Sequence, residues 1–361
     1  MKLSVPEYIL SVKPYVAGKP LEELEREYGI TDAVKLASNE NPLGPSPLAI
    51  NAVKQAVKEL HRYPNGGSYH LCAKLSKHLD VKEENIILGN GSDDIIAMLT
   101  RALLQPGDEA VLPRPSFLFY EIMVRCSGAI PIEVPLIAGH TDLDGMLERV
   151  GPKTRLIFLT NPHNPTGALI PKQALDDFVA ALAEDVVLLI DEAYIEFVRQ
   201  PHCPQSIDYL DSGKMVVGLR TFSKAYGLAG LRVGYGLMPL VLADLLNRVR
   251  QPFNVNSLAQ AAAIAALDDE EFLQDTVKLV ADELGFIYAS LDDLGIEYLK
   301  SQANFYLIKV GKNADEVFKD LLKQGIIVRS MTSYGYPDCI RVSVGLHNEN
   351  VRLLDALARV L

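Results

Sequence analysis

Lys224 lies among residue types that together suit a phosphorylated carbonyl compound. The stretch 221–232 reads Thr-Phe-Ser-Lys-Ala-Tyr-Gly-Leu-Ala-Gly-Leu-Arg, so hydroxyls and glycines surround the lysine and Arg232 follows eight residues later. A lysine attacks a carbonyl carbon only as the neutral amine, which requires a cationic or desolvating environment that lowers its pKa. Arg232 can supply that charge and also pair with a phosphate. Because most lysines are solvated surface groups, the stretch alone leaves both interpretations open.

A carboxylate follows a run of aliphatic residues at the centre of the chain. Residues 186–190 predict a buried strand, and Asp191 comes directly after them. A buried charge needs a partner, and a protonated ring nitrogen is a suitable one. Tyr194, three residues later, can donate a hydrogen bond to an oxygen on the same ring. A carboxylate that only caps a helix is the alternative.

Two further loops could bind polar groups of a ligand. The sequence 161–167 reads Asn-Pro-His-Asn-Pro-Thr-Gly, and its prolines predict a rigid loop that presents the amide of Asn164. The sequence 89–94 reads Gly-Asn-Gly-Ser-Asp-Asp and opens a predicted helix over 95–104, whose first backbone N–H groups could hold a phosphate. Each loop could instead be an ordinary turn, the second with a capping serine.

The elements that must position these residues predict an α/β fold. From about 34 to 249, short apolar runs alternate with amphipathic helical stretches, which is the pattern of a mostly parallel sheet covered by helices. Ligands of such sheets bind beyond the carboxyl ends of the strands, where these motifs lie. The predicted strands are 85–88, 109–112, 155–159, 186–190, 215–219 and 233–237.

The rest of the chain predicts an N-terminal arm and a smaller second domain. Residues 21–28 have the apolar spacing of a helix, and Gly29 is placed to end it. Residues 259–291 predict an alanine-rich helix and then a long amphipathic one, followed by strands near 305–310 and 339–344. We therefore divide the chain into an arm (1–33), a large α/β domain (34–250), and a connecting helix with a small α+β domain (251–361).

Composition argues against several classes of protein. The 361 residues are 48% hydrophobic and 22% charged, the balance of a folded globular chain. A net charge of −11 disfavours general binding to nucleic acids or anionic membranes, and no segment has the length and apolarity of a membrane span or signal peptide. The four cysteines are far apart and lack metal-ligand spacing. We expect a cytoplasmic protein that binds no nucleic acid, membrane or metal.

Pyridoxal 5′-phosphate is the cofactor that uses all of the groups predicted above: an amine, a carboxylate, two donors and a phosphate site. In this set of motifs the chain resembles the fold-type I, class II aminotransferases, and more closely the histidinol-phosphate aminotransferases. The resemblance runs nearly end to end and also includes the sequences at 37–44, 62–64 and 341–345. It implies a large domain with a mostly parallel central sheet and a small α+β domain.

The resemblance also implies a role for each site residue. Lys224 would hold the cofactor and move a proton, Asp191 would keep the ring nitrogen protonated, and Tyr194 would contact the ring oxygen. The other residues implied to bind the cofactor are Ser92, Asp93, Phe117, Asn164, Thr221, Ser223 and Arg232, together with Tyr63 from a neighbouring subunit of a homodimer. The residues implied to bind substrate are Tyr15, Asn39, Arg329 and Arg341.

Two residues depart from the family pattern. His163 stands where relatives often have asparagine, and Phe117 stands where many have tyrosine. We expect His163 to point outward and Phe117 to keep the aromatic face that stacks on a cofactor ring.

The implied activity is amino transfer between L-glutamate and imidazole-acetol phosphate, which yields L-histidinol phosphate in histidine biosynthesis. Three alternatives remain open from the sequence. One is transamination of aromatic amino acids, because an apolar pocket discriminates poorly among ring-bearing side chains. The second is decarboxylation of a phosphorylated amino acid. The third is a cofactor-sensing regulator, for which the chain leaves little room and carries an unfavourable charge.

Overall fold

The computed structural model of the chain describes residues 4–15 and 18–361. Its strands are β1 (Val34–Lys35), β2 (Ile86–Gly89), β3 (Glu109–Arg114), β4 (Ile130–Pro135), β5 (Thr154–Thr160), β6 (Val187–Asp191), β7 (Met215–Thr221), β8 (Gly234–Leu237), β9 (Tyr298–Leu299), β10 (Phe305–Lys309), β11 (Ile326–Ile327), β12 (Arg329–Ser330) and β13 (Cys339–Ser343). Its α-helices are α1 (Glu7–Leu10), α2 (Leu21–Tyr28), α3 (Pro47–Ala56), α4 (Tyr69–Leu79), α5 (Ser92–Leu103), α6 (Leu118–Cys126), α7 (Leu143–Glu148), α8 (Lys172–Ala181), α9 (Leu240–Val249), α10 (Ser257–Ala266), α11 (Glu270–Asp293), α12 (Ala314–Lys323) and α13 (His347–Val360).

A mixed, mostly parallel sheet forms the centre of the molecule. Its strand order is β2-β8-β7-β6-β5-β3-β4. Strand β8 runs antiparallel to both of its neighbours, and the remaining pairs are parallel. All six strands predicted from apolar runs are present, with shifts of one or two residues at their ends. The α/β architecture expected from the sequence is therefore confirmed.

Strand β4 was not predicted. It lies at the edge of the sheet and pairs only with β3 among the described strands. Two of its six residues are Pro131 and Pro135, and Ile130 is 48% exposed. Proline lacks a backbone donor and belongs at sheet edges, so the run does not look like a buried central strand.

Helices cover both faces of this sheet because successive residues of the central strands point to opposite sides. In β6, Val187 and Leu189 pack with α5, α6 and α9, whereas Leu188 and Ile190 pack with α7 and α8. Burial on both faces explains why these strands read as continuous aliphatic runs. The strand ends are where polar side chains can emerge without facing either helical layer.

The C-terminal part forms a second, antiparallel sheet with strand order β12-β13-β10-β9. The long helix α11 packs on it through Val280, Leu284, Ile287 and Leu291, which confirms the predicted long amphipathic helix. None of the helices in the described part of the chain has both the length and the apolarity needed to cross a membrane.

Residues near the N-terminus form a separate two-stranded sheet with β11 and also hydrogen-bond to this second sheet. Strand β1 pairs in parallel with β11, and the backbone N–H of Ser343 donates to the carbonyl of Leu36 at 2.8 Å. Helix α2 buries Leu24 beside these strands and ends at Gly29, whose φ of 70° is the left-handed conformation that glycine adopts readily. The N-terminal segment therefore brings Asn39 between the two sheets.

Candidate active site

A cavity of about 340 Å³ opens at the carboxyl ends of three parallel strands. The last residues of β5, β6 and β7 are Thr160, Asp191 and Thr221, and Thr160 lies directly opposite Asp191 in the sheet. All three side chains line the cavity. Its other lining residues are Tyr15, Ser92, Asp93, Phe117, Phe119, Asn164, Ala193, Tyr194, Ser223, Lys224 and Arg232. The four motifs found in the sequence thus meet in one place.

The amine of Lys224 projects into this cavity from the loop that follows β7. Its Nζ donates to the backbone carbonyl of Ser38 at 2.9 Å and lies 5.8 Å from the centre of the Tyr194 ring. Burial lowers the pKa of Lys224 to about 8, and the positive charge of Arg341 contributes in the same direction. About one molecule in ten then carries the neutral amine at pH 7, against fewer than about one in a thousand for an ordinary lysine.

Asp191 places a carboxylate at the floor of the cavity. Its Oδ1 accepts from the backbone N–H of Ala193 at 3.0 Å, and its Oδ2 accepts from the hydroxyl of Tyr120 at 2.5 Å. Burial raises the pKa of Asp191 to about 6, while both hydrogen bonds oppose that rise. The group is therefore mostly ionised at neutral pH and can attract a cation in the cavity.

Two hydrogen-bond donors face the cavity beside this carboxylate. Asn39 donates through Nδ2 to the hydroxyl oxygen of Tyr194 at 3.0 Å, which leaves the tyrosine proton free to point elsewhere. Arg341 donates through Nη1 to Oδ1 of Asn164 at 2.7 Å, which leaves the Asn164 NH₂ group as a donor. Burial raises the pKa of Tyr194 to about 12, so its proton remains in place.

Groups that suit an anion line the cavity where helix α5 begins. Gly91 has φ 78° and precedes Ser92, the first residue of the helix. A Cβ at position 91 would lie 2.4 Å from Nη2 of Arg232, so the guanidinium rests directly against the glycine. Its Nη1 donates to Oγ of Ser223 at 3.3 Å. Helix N–H groups, hydroxyls and a guanidinium together suit a phosphate.

Residues 31–357 match the sequence model of the family described as aminotransferase class I and II. The chain belongs to this family. Two histidinol-phosphate aminotransferases are similar to this chain over nearly their whole length. The enzyme of Desulfotalea psychrophila is 47% identical, covering 100% of this chain and 96% of the relative. One enzyme of Carboxydothermus hydrogenoformans is 49% identical, covering 97% of both chains. The histidinol-phosphate aminotransferase of Sinorhizobium meliloti, solved in complex with pyridoxal-5′-phosphate, superposes with a TM-score of 0.92 at 31% identity, covering 99% of this chain and 98% of its own.

Two arginines of the aminotransferase line a smaller cavity that adjoins the first. Arg341 is 7% exposed and donates through Nη2 to the carbonyl of Ala37 at 3.0 Å. The guanidinium carbon of Arg329 lies 5.9 Å from the ring centres of both Tyr15 and Tyr334. A small adjoining cavity of about 100 Å³ is lined by both arginines, Asn39 and both of these tyrosines. Two cations thus face the space beyond Lys224.

Tyr63 lies apart from the cavity of its own chain. Its ring is 83% exposed and stacks on Phe253 with centroids 4.8 Å apart. The structure therefore brings together every predicted site residue except Tyr63, if the small adjoining cavity is included.

The expectation that His163 points outward is wrong. The residue is 1% exposed, and its Nδ1 lies 3.0 Å from Oγ1 of Thr166. Burial lowers the pKa of His163 to about 4, so the ring is neutral and packs inside the loop that presents Asn164. Its neutral form explains why it can be buried without a counter-charge.

Sequence reasoning missed Phe119, Thr160 and Ala193, which line the cavity, and two tyrosines that lie behind or beside it. Tyr120 lies on α6 behind Asp191, and Tyr334 lies beneath Arg329 in a turn before β13. Tyr120 belongs to an apolar helix, where an aromatic residue is typical of the core, and nothing in the sequence around it signals a polar contact. Tyr334 follows two strands of only two residues each, which are too short to show a period.

Proposed function

We propose that this aminotransferase binds pyridoxal 5′-phosphate and exchanges the amino group between L-histidinol phosphate and 2-oxoglutarate, so that it makes histidinol phosphate from imidazole-acetol phosphate and L-glutamate in histidine biosynthesis. One observation carries the proposal. The same cavity holds an amine of lowered pKa, a carboxylate and an anion site, with two arginines placed to receive a second anion. The names of the most similar relatives point to the same activity.

The residues present fit this cofactor. The cavity of about 340 Å³ falls in the range of small-molecule sites. The contact between Gly91 and the Arg232 guanidinium leaves no room for a side chain where a phosphate would lie, and Asp191 offers the carboxylate that a protonated ring nitrogen requires. Asn164 and Tyr194 would contact the ring oxygen, and Phe117 would cover one ring face. The phosphate would be held by Arg232, Thr221, Ser223 and the backbone at Ser92 and Asp93.

When bound, pyridoxal phosphate supplies a carbonyl that accepts the amino group and a ring that delocalises the electron pair left when a substrate carbon loses its proton. Lys224 performs the proton transfers that this chemistry needs. Its Nζ, when neutral, would take the proton from the substrate carbon and would deliver it to the cofactor carbon. Asp191 stays ionised and keeps the ring nitrogen protonated, and Tyr194 holds its proton toward the ring oxygen.

The arginines would recognise both substrates. Histidinol phosphate carries a phosphate, whereas glutamate carries carboxylates, and a guanidinium can bind either group through paired hydrogen bonds. Arg341 and Arg329 lie in the adjoining cavity with Asn39, whose side chain is fixed by Tyr194 and Ser343. The ring centres of Tyr15 and Phe117 lie 6.3 Å apart, and Tyr15 covers this end of the site. One pocket thus serves both half-reactions.

We also propose that the active unit is a homodimer in which Tyr63 reaches the cofactor phosphate of the partner subunit. Tyr63 is highly exposed, and residues 43–69 include further large apolar side chains that are exposed: Leu43, Leu48, Ile50, Val57, Leu60 and Tyr69. We propose that these side chains form one surface with Tyr63. Such a surface is typical of an interface. Mixing a Tyr63→Ala chain with a Lys224→Ala chain should restore activity, because one site of the hybrid receives both native residues. No recovery in verified hybrids would contradict shared sites.

The division into an arm, a large domain and a small domain at residues 33 and 250 remains our proposal for the domain organisation. We further propose a cytoplasmic location, where Cys72, Cys126, Cys203 and Cys339 would remain reduced. All four are free thiols in the structure.

The half-reactions test the activity most directly. Cofactor-loaded protein is mixed with L-histidinol phosphate, L-glutamate or L-phenylalanine, and the loss of the yellow absorption is followed. Fast loss with the first two and little with phenylalanine is expected. Faster loss with phenylalanine would assign the enzyme to aromatic amino acids, and release of carbon dioxide without a keto acid would indicate a decarboxylase. Lys224→Ala protein must fail to turn over, because it lacks the amine that moves the proton.

A further inference from the structure

Tyr120 contacts the active-site carboxylate without lining the cavity. Its hydroxyl donates to Oδ2 of Asp191 at 2.5 Å and lies 3.1 Å from Oγ1 of Thr160. Tyr120 has no exposed surface, whereas Asp191 and Thr160 both line the cavity. Any effect of the Tyr120 hydroxyl on a bound ligand must therefore pass through one of these two residues.

The surroundings of Tyr120 hold its hydroxyl in place. The ring stacks on Phe158 of β5 with centroids 4.7 Å apart and an interplanar angle of 17°. It meets Phe117 edge to face at 5.5 Å. Thr160 and Asp191 are opposite each other in neighbouring strands, so the two groups that the hydroxyl contacts are themselves fixed by the sheet. The donor is thus positioned by two ring contacts and by the two groups that its hydroxyl meets.

This arrangement keeps a proton on Tyr120 and off Asp191. Burial, together with the charge of Asp191 and the hydrogen bond to it, raises the pKa of Tyr120 well above its ordinary value, so the phenol remains a donor. A carboxyl group that accepts hydrogen bonds on both oxygens is stabilised as the anion. Burial alone would favour the protonated carboxyl, which cannot pair with a protonated ring nitrogen.

We propose that Tyr120, supported by Thr160, is a positioning residue that fixes Asp191 as an anion directed at the ring nitrogen of the cofactor. This inference rests on the proposed binding of pyridoxal phosphate. The proposal gives Tyr120 an effect on one atom of the cofactor, the ring nitrogen. A residue that only fills the core would have no such selective effect.

The test compares pyridoxal phosphate with an analogue in which carbon replaces the ring nitrogen. Tyr120→Phe keeps the ring packing and removes only the hydroxyl. It should weaken binding of pyridoxal phosphate to the cofactor-free protein by about 10- to 100-fold, because a hydrogen bond to a charged group is lost. Binding of the analogue should change less than about twofold, since it offers no ring nitrogen to Asp191. Equal losses for the two compounds would overturn the proposal.

Kinetics provide a second readout that a structural role would not produce. In the histidinol phosphate half-reaction, Tyr120→Phe should lower kcat with pyridoxal phosphate by about 10- to 100-fold and change KM little. With the analogue bound, the variant and the native protein should react at equal rates. Absence of amino transfer in the native protein would defeat the proposed function, but the binding comparison would still decide the role of Tyr120.

Two further variants make the result specific. Tyr306→Phe is the matched control, because Tyr306 is also fully buried but lies in β10, and its hydroxyl has no hydrogen-bond partner among the described residues. It should leave both affinities unchanged. Thr160→Val keeps Tyr120 and removes the supporting hydroxyl, and it should weaken binding of pyridoxal phosphate selectively but less than Tyr120→Phe. Should Tyr120→Phe fail to fold, a Thr160→Val protein with unchanged selectivity would refute the proposal.

Discussion

Arg341 and Asn164 share a hydrogen bond of 2.7 Å, although 177 residues separate them in the chain. The bond joins β13 to the loop after β5. The positive charge of the same guanidinium is second only to burial in lowering the pKa of Lys224. One side chain therefore orients the amide that faces the proposed ring oxygen and also helps the amine to lose its proton.

Replacement of Arg341 by glutamine should slow the capture of pyridoxal phosphate by the cofactor-free protein. The protonated amine cannot attack, so in the native protein the capture rate should rise with pH and level off above about 8. Loss of the Arg341 charge lets the Lys224 pKa rise, which moves this midpoint to higher pH. Each unit of that shift removes about nine-tenths of the neutral amine at pH 7. Stopped-flow absorbance across the pH range measures the midpoint.

Arg329→Gln is the control for this prediction. It removes a cation from the same adjoining cavity, but its charge is not among the main causes that lower the pKa of Lys224. Its capture midpoint should match the native one. A midpoint that fails to rise in Arg341→Gln protein would show that Arg341 does not control the amine.

Gly91→Ala should weaken cofactor binding by displacing Arg232. The added Cβ would lie 2.4 Å from the guanidinium nitrogen, so the side chain must leave its place beside the start of α5. We expect the dissociation constant for pyridoxal phosphate, measured by equilibrium dialysis, to rise by about tenfold or more, as for loss of a charged hydrogen bond.

Gly107→Ala separates this effect from backbone strain. Gly107 also has a positive φ, 92°, but a Cβ there would meet nothing within 4 Å. Both variants should lose about 1 kcal/mol of stability, because alanine is strained in this conformation. If Gly107→Ala weakened cofactor binding as strongly as Gly91→Ala, the contact with Arg232 would not be the cause of the weaker binding.

The buried ion pair between Glu192 and Arg220 should be a main support of the strand ends. The side chains of Glu192 and Arg220 are 1% and 7% exposed, and Nε of Arg220 lies 2.8 Å from Oε2 of Glu192. Glu192 also accepts from the hydroxyl of Ser206 at 2.9 Å. Glu192→Gln would remove the carboxylate that pairs directly with the buried arginine. The free energy of unfolding should fall by about 3–5 kcal/mol in denaturant titrations.

An exposed ion pair provides the comparison. Arg248 and Asp244 lie 2.7 Å apart, with side chains 71% and 63% exposed. Asp244→Asn should cost less than about 1 kcal/mol, because water screens the pair. Equal costs for the two variants would mean that Arg220 finds another partner.

Tyr334→Leu should reduce discrimination in favour of the phosphorylated substrate. The ring of Tyr334 packs under the guanidinium of Arg329, opposite Tyr15, and a contact of this kind contributes about 0.5–1 kcal/mol. We expect kcat/KM for L-histidinol phosphate to fall by about two- to fivefold, with a smaller change for L-phenylalanine, which has no phosphate.

Tyr336→Leu serves as its control. Tyr336 packs in the same apolar cluster as Tyr334. The substitution should therefore reproduce the packing loss without changing the ratio of the two kcat/KM values. A ratio altered equally by both variants would assign the effect to the cluster as a whole.

Much of the fold was predictable because its core strands are buried on both faces. Mostly apolar runs marked β5, β6 and β7, and the residues directly after them, such as Asp191, could be placed at one edge of the sheet. Strand β4 was not predicted because proline and exposure at a sheet edge interrupt the apolar pattern. Local sequence thus predicts the centre of a sheet better than its margin.

The residues that touch the cavity directly were easier to predict than those behind them. Lys224 and Asp191 have chemistry that is unusual for their positions, so their types alone were informative. Tyr120 looks like any core aromatic until α6 is packed against β6, and the buried His163 depends on a bond to Thr166 within a loop of unusual shape. The Tyr120 contact depends on tertiary structure, which no local pattern encodes, whereas the His163 contact depends on the shape of its own loop.

The position of Asn39 has a consequence for synthesis of the chain. Its backbone N–H donates at 2.7 Å to Oγ of Ser343, 304 residues later, whereas the strands of the central sheet all lie between residues 86 and 237. During translation the central sheet can therefore pair while the ribosome is still making the C-terminal part. The contact of Asn39 with β13 can form only after β13 has been made, so the residues proposed to bind the cofactor can assemble before those proposed to bind the substrate.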